Sequence, residues 1–429
     1  MASKMSFGVE LEFFICAKTK GSGLTPTPKG FESHPGGPLM LPADMLNQGV
    51  AIEELERQIS ALLKKDPRPI VKPPSVFFRN PVWEPLTAYQ QWGVKNDVSL
   101  SFKAMQMSRQ LGTYDLAWFG IEIVSPALFA GDAAYRQVRK AGLHIHVGQG
   151  RDWMPMSKLR QVAALLYAAD PILVQSHPPH RQSNDYFPSV RLYSAVSLGR
   201  THNEVKDDRD AGSEDSLPSG SFPGLIGRAR KLMGYGLKLT GSRAEEPPKT
   251  KARQPFPPRP TTGVYQLEQR FFEDRIRAPD LDDRLRFEEY KPVPMLDAVV
   301  QILTTAKRNT LGRLMQTNGR GTYNFQQLQW DDKKTVEFRQ PAATVDAAQV
   351  LAQVRIAVRL CEFAAEASEQ ELLRIILDCE HGENNPEWYD VYDLFMDLDL
   401  RPEALVVQAV LNDSLTDEVR KEYWRSRGM

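Results

Sequence analysis

The sequence predicts an α+β fold, and three observations carry that reading. Short segments that alternate apolar and polar residues cluster in the first third of the chain and recur once near residue 335. Apolar residues spaced three and four apart mark helices around 155–176 and from 293 onward, and the chain beyond Ser368 reads as helical.

Taken in order, Phe7 to Cys16 (FGVELEFFIC) alternates Val9, Leu11 and Phe13 with Glu10, Glu12 and Phe14, which predicts a strand with two carboxylates on one face. Thr19 to Asp44 is dense in Gly and Pro and reads as a long loop. Met45 to Lys65 carries Leu46, Val50, Ile52, Leu55, Ile59 and Leu62 near helical spacing and meets the stop Asp66-Pro67. Strands are expected around Val76 to Phe78, Gly93 to Asp97, Gly120 to Val124 and Leu143 to Val147, with a short helix from Ser101 to Leu111. Pro155 to Ser176 is a helix with proline near its start and Leu159, Val162, Leu165, Leu166 and Ala169 on one pattern. Asn203 to Gly220 is acidic and Gly/Ser-rich, and Thr240 to Gly263 is proline-rich, so 203–263 reads as a flexible insertion. Val293 to Asn318 is expected as one helix, Thr335 to Arg339 as a strand and Thr344 to Ser368 as a long helix. The organisation is a catalytic unit over 1–368, interrupted by the insertion, and a helical C-terminal extension over 369–429.

Composition narrows the function classes. Lys+Arg and Asp+Glu are both 54, so the formal charge is zero, and an even balance argues against a partner held by clustered basic charge, such as nucleic acid. Cys16, Cys361 and Cys379 fall in no paired or metal-type spacing, which fits a reducing compartment. Glu10 and Glu12 interrupt the apolar N-terminal stretch, so it lacks the core of a secretory signal, and no uncharged apolar run reaches the roughly 18 residues of a membrane span. A soluble cytoplasmic enzyme acting on small molecules, with neither membrane nor nucleic acid as partner, is the expectation.

Four segments set acids or imidazoles inside apolar β-type sequence: Gly8-Val-Glu-Leu-Glu12, Gly120-Ile-Glu-Ile-Val124, Gly142-Leu-His-Ile-His-Val-Gly148 and Val336-Glu-Phe-Arg339. In a strand, residues i and i+2 share a face, so Glu10 pairs with Glu12, His144 with His146 and Glu337 with Arg339. If these faces meet, four carboxylates, two imidazoles and a guanidinium converge. Clustered carboxylates are costly to bury, divalent cations are their usual compensation, and oxygen ligands suit Mg²⁺ or Mn²⁺. An arginine beside the last carboxylate offers a bidentate clamp for a transferring phosphoryl group. The combination points to a nucleoside triphosphate, although the chain contains no GxxxxGK[ST] loop and no dinucleotide fingerprint.

The segments FGVELEF, GIEIVSP, GLHIHVG, HRQSNDY and TVEFRQPAAT occur in this order from Phe7 to Thr344. In them the chain resembles the fungal-type amidoligases of the glutamine synthetase and glutamate–cysteine ligase superfamily. That resemblance implies a glutamine synthetase-like antiparallel sheet curved into a funnel, flanked by helices, with Mg²⁺ (or Mn²⁺) and ATP on its concave face. It implies an ATP-dependent carboxylate–amine ligase that phosphorylates a carboxylate and lets an amine displace the phosphate, on small amino-acid-like substrates or a peptide. Carried over by position, Glu10, Glu12, Glu122, His144 and Glu337 look like metal ligands, and His146 like a group near the phosphates. Arg339 resembles the γ-phosphate clamp and, with Glu337 and Arg181, forms the catalytic set; Asn324 is a candidate for orienting nucleotide or substrate. Either His144 or His146 fits the metal-binding histidine.

Plainer readings exist for each group. Glu10 and Glu12 could face solvent on an edge strand. His144 and His146 could be core histidines, Glu337 and Arg339 a structural ion pair, Glu122 an exposed strand acid and Asn324 a turn residue. His177 and His180, beside prolines, read as loop residues. A phosphotransferase acting on a guanidino or carboxylate group from the same fold is the alternative activity, and a binding or scaffold protein is a third class.

Overall fold

The computed structural model of the protein describes residues 5–19, 39–41, 57, 93–97, 100, 116–125, 128–129, 143–150, 152–182, 188–205, 293–317, 321–329, 334–342, 344 and 346–428. The expected strand at Val76 to Phe78 lies outside them. So do nearly all of the expected helices at 45–65 and 101–111 and the insertion beyond Val205.

Alternation in the first segment produces strand β1 (Ser6–Thr19). Around it assemble β2 (Leu39–Leu41), β3 (Gly93–Asn96), β4 (Leu116–Val124), β5 (Leu128–Phe129), β6 (His144–Gly148), β7 (Tyr323–Asn324) and β8 (Thr335–Phe338). The order β3-β4-β1-β6-β8-β7 is antiparallel at every step, while β2 runs parallel to the end of β1 and β5 pairs with its start. The expected strands at 7–16, 93–97, 120–124, 143–147 and 335–339 are therefore present, most of them within a few residues of the predicted bounds. The long loop at 19–44 instead contains β2, because main-chain pairing to β1 at Ala17–Thr19 holds three apolar residues that carry too little period-2 signal to stand out. Between β4 and β5 the ladder is patched by a side chain. Val9 N donates to Ser125 Oγ at 2.8 Å, and Ser125 N donates to Val9 O at 2.8 Å.

One face of this sheet is apolar. Phe7, Val9, Leu11, Ile121, Ile123, Ile145, Val147, Val336 and Phe338 are buried in a single core with the helices. The innermost helix is α1 (Met156–Leu173), apolar on nearly every side, followed by a 3₁₀ turn (Val174–Ser176) and the short α2 (Pro179–Gln182) and α3 (Val190–Tyr193). The expected helix at 293–318 is two, α4 (Met295–Thr304) and α5 (Arg308–Leu314). Thr304 and Thr305 turn their hydroxyls back onto the Val300 and Gln301 carbonyls, Thr305 becomes extended, and Arg160 on α1 takes its carbonyl at 3.2 Å.

Helix α6 (Ala347–Glu366) touches β1 and β6 and joins sheet to helical layer. After it the chain divides into α7 (Glu369–Asn384), α8 (Val391–Asp397), α9 (Arg401–Leu411) and α10 (Asp417–Ser426). Three of these starts are set by caps: Ser368 with Glu371 and Asp390 with Asp393 form capping boxes, and Thr416 accepts from Val419 N. The fold is thus α+β, with a mainly antiparallel sheet packed on helices. Among the described residues no helix is long and apolar enough to cross a membrane.

Candidate metal centre

The face of the sheet opposite the core carries the charged residues, as the two-residue period of its strands requires. Register then decides which of them meet. Glu10 on β1 lies opposite His144 on β6, His146 opposite Glu337 on β8, and Glu337 opposite Asn324 on β7. On the other side of β1, Glu12 lies opposite Glu122 on β4, which in turn faces Lys95 on β3.

Side chains from three strands close on one point. His144 Nδ1 stands 3.1 Å from Glu12 Oε1, 3.5 Å from Glu337 Oε1 and 3.8 Å from Glu10 Oε2. One ligand atom from each of Glu10, His144 and Glu337 lies within 4.8 Å of the other two, all three residues being buried. Two carboxylates and one imidazole form a donor set that a divalent cation fits, the oxygens favouring Mg²⁺ or Mn²⁺ and the nitrogen tilting the choice towards Mn²⁺. His146 occupies the next position along. Its Nε2 is 3.2 Å from Glu10 Oε1 and its Nδ1 shares a hydrogen bond of 3.0 Å with Thr335 Oγ1, so the ring is oriented from behind.

Glu337 is the most heavily supported member. Arg339 Nη1 donates to its Oε1 at 2.5 Å, and Asn324 Nδ2 to its Oε2 at 2.7 Å, with Gln327 Nε2 at 3.5 Å from the same oxygen. Burial alone would favour the neutral acid, but the charges of His146, Arg339 and His144 outweigh it and hold the carboxyl at about 2. For His144 burial disfavours the charge, yet its hydrogen bonds with Glu10 and Glu12 prevail and raise it to about 9. The carboxylates around the His144 ring thus favour its charged form.

The structure thus gathers Glu10, Glu12, His144, His146, Glu337 and Arg339, and of the two histidines it is His144 that joins the compact donor set. Glu122 is buried on the same face but belongs to the neighbouring strand, opposite Glu12 and outside that set. Asn324, expected near nucleotide, has its amide group engaged with Glu337 and its Oδ1 accepting from Gln326 N at 3.0 Å. Arg181, expected among the catalytic residues, donates to the carbonyls of Arg339, Gln340 and Pro341. His177 is buried at the end of the 3₁₀ turn and is not a member of the donor set.

Two supporting residues escaped the sequence reading. Thr335 precedes Glu337 by two positions, so the same period that paired Glu337 with Arg339 already placed it on this face. Gln327 sits in a 3₁₀ turn (Gln326–Gln329) after β7 and had no periodic signal. Comparison of the chain with family models, with curated proteins and with solved structures returns no match.

Proposed function

We propose that this protein is an ATP-dependent carboxylate–amine ligase using Mg²⁺ or Mn²⁺, and that the sheet is the wall of a glutamine synthetase-like funnel. The observation that carries the reading is the buried Glu10–His144–Glu337 donor set with the Arg339 guanidinium 2.5 Å from Glu337. The resemblance of the surrounding motifs to amidoligases supports it independently of the geometry.

A divalent cation held by Glu10, His144 and Glu337 would neutralise charge during transfer of a phosphoryl group to the substrate carboxylate. The chain's own residues supply the rest. Arg339 presents a planar fork of donors that fits phosphate oxygens bidentately. Asn324 and Arg339 together fix the Glu337 carboxylate so that no reorganisation is needed when a cation binds. His146, held by Thr335, stands beside the same cluster as a donor towards phosphate. An amine then attacks the carbonyl carbon of the acyl phosphate, the C–O bond to phosphate breaks as the C–N bond forms, and the amine gives up a proton, leaving an amide and free phosphate.

The test is incubation of the full chain with ATP, Mg²⁺ or Mn²⁺ and a pool of amino acids and short peptides. Release of ADP and phosphate that depends on both an acid and an amine, with a condensation product lacking one water by mass spectrometry, supports the ligase. ADP release with a carboxylate or guanidine alone, and retention of a phosphorylated product, replaces it by a phosphotransferase. No ATP turnover with either metal overturns both.

A further inference from the structure

We infer that Arg181 is a positioning residue that fixes the main chain beneath Arg339. The inference rests on the reading of Arg339 as the phosphate clamp. Strand β8 ends at Phe338, and Pro341 has no N–H with which to continue a ladder. Three successive carbonyls at this exit, those of Arg339, Gln340 and Pro341, instead converge on one guanidinium. Arg181 Nε donates to Gln340 O at 3.0 Å, and Nη2 donates to Arg339 O at 2.7 Å and to Pro341 O at 3.1 Å. Gln340 Nε2 returns towards Arg181 O at 3.5 Å. From the other side, Arg339 N donates to Thr322 O at 3.0 Å. The Arg339 residue is thus gripped at both its amide and its carbonyl, and its side chain starts from a fixed base.

This grip needs an arginine. A planar fork places several donors in fixed directions, whereas an ammonium is a point charge on a flexible stem. Burial, and then the charge of Arg339, bring Arg181 down to about 10. Arg181 belongs to α2, directly after the turn that ends α1, and α1 itself reaches the same strand exit through Asp170, which accepts from the Thr322 hydroxyl at 3.0 Å.

The test uses the full chain as Arg181→Met, Arg181→Lys, Arg339→Met and the double variant Arg181→Met/Arg339→Met, with Mg·ATP affinity by calorimetry, Mn²⁺ affinity by paramagnetic resonance and amide hydrogen exchange without ligand. Arg181→Met is expected to weaken Mg·ATP binding by about the same fold as Arg339→Met, and the double variant to be no weaker, because Arg181 acts only through Arg339. Mn²⁺ affinity should stay within about twofold in Arg181→Met, and exchange at the Arg339 amide should rise about tenfold or more. Arg181→Lys preserves charge and stem, keeps the chain folded if the methionine variant does not, and should fail to rescue binding. Multiplying losses in the double variant would mean that Arg181 touches phosphate itself and would overturn the inference, as would unchanged exchange at Arg339. If the unaltered protein binds no Mg·ATP, the ligase reading fails while the exchange measurement still decides the role of Arg181.

Discussion

Buried carboxylates occur in two regions of this molecule, and they are treated in opposite ways. In the helical layer Glu403 and Asp170, and the part-buried Glu383, are given cations or hydroxyls of their own. Glu403 on α9 is wholly buried and receives Arg427, Tyr423 Oη at 3.3 Å and Arg355 Nε at 3.9 Å. Glu383 accepts from Arg191 at 2.7 Å, and Asp170 on α1 accepts from the Ser189 and Thr322 hydroxyls. On the polar face of the sheet, Glu10, Glu12 and Glu337 all lie within 4 Å of the same His144 nitrogen, with Arg339 against Glu337. The first arrangement closes a charge balance and locks one helix to another. The second concentrates like charge where folding alone has no use for it, which is the signature expected of a binding site.

The comparison breaks if the two regions respond alike to loss of a carboxylate. The largest effect is expected for Glu337→Gln, which keeps the shape but removes the charge and leaves one acceptor oxygen where the carboxylate offers Oε1 to Arg339 and Oε2 to Asn324. ATP consumption should fall on the order of a hundredfold or more, with Mn²⁺ binding lost and a smaller stability loss than in Glu403→Gln, because relief of the like charge of Glu10 offsets part of what Arg339 loses. Retained Mn²⁺ binding in this variant would remove the sheet face from consideration as a metal centre.

Glu403→Gln should do the reverse. It strands a buried arginine without its counter-charge, an event that costs about 3–5 kcal/mol when both partners are buried. Because the Arg427 side chain is 20% exposed, the lower end of about 3 kcal/mol is expected. Mn²⁺ affinity measured where this variant remains folded should match that of the unaltered protein. A stability loss below about 0.5 kcal/mol would place Glu403 with ordinary surface positions, and a changed Mn²⁺ affinity would couple the two regions.

The difference in legibility between these regions has a physical cause. On the sheet, the period of two announced which residues share a face, so Glu10, Glu12, His144, His146, Glu337 and Arg339 could be grouped from the sequence. Which strands become neighbours is a non-local property, and only register separates the compact Glu10–His144–Glu337 set from Glu122 one strand away. Strand β7 is two residues long, too short for any period, so Asn324 could be singled out but its bond to Glu337 could not. In the helical layer, apolar spacing found α1 and α6. It could not find the break at Thr305, where side-chain hydroxyls and Arg160 compete with the helix, nor the partners of Glu403, which lie on other helices. Ser368 and Glu371 did stand at capping-box spacing, so the start of α7 was readable where its packing was not.

The smallest effect sharpens the comparison through pH, using a titratable group on the helical side. His177 is buried beside Ala342, Gln353, Val406 and Val407, and burial, reinforced by the charge of Arg181, lowers it to about 3. Between about 3 and its ordinary value of 6.5, the unfolded chain binds a proton there that the folded chain does not, so this residue makes stability fall as pH falls, by about 1.4 kcal/mol per pH unit. Asp170 runs the other way. Burial, only partly offset by its hydroxyl partners, raises it to about 6, so below that pH the folded chain binds the extra proton and stability is regained down to about 3.8. The two nearly cancel from pH 6 to 4 in the unaltered protein, and His177→Leu should uncover Asp170. Its stability relative to the unaltered protein, from urea unfolding at pH 7.5 and pH 5, should improve on acidification by roughly 2 kcal/mol, because every other titrating group subtracts out. A difference that stays constant between the two pH values would mean that His177 gains its proton in the folded state as readily as in the unfolded one, and that this buried group, like those on the sheet face, is not neutralised by the fold alone.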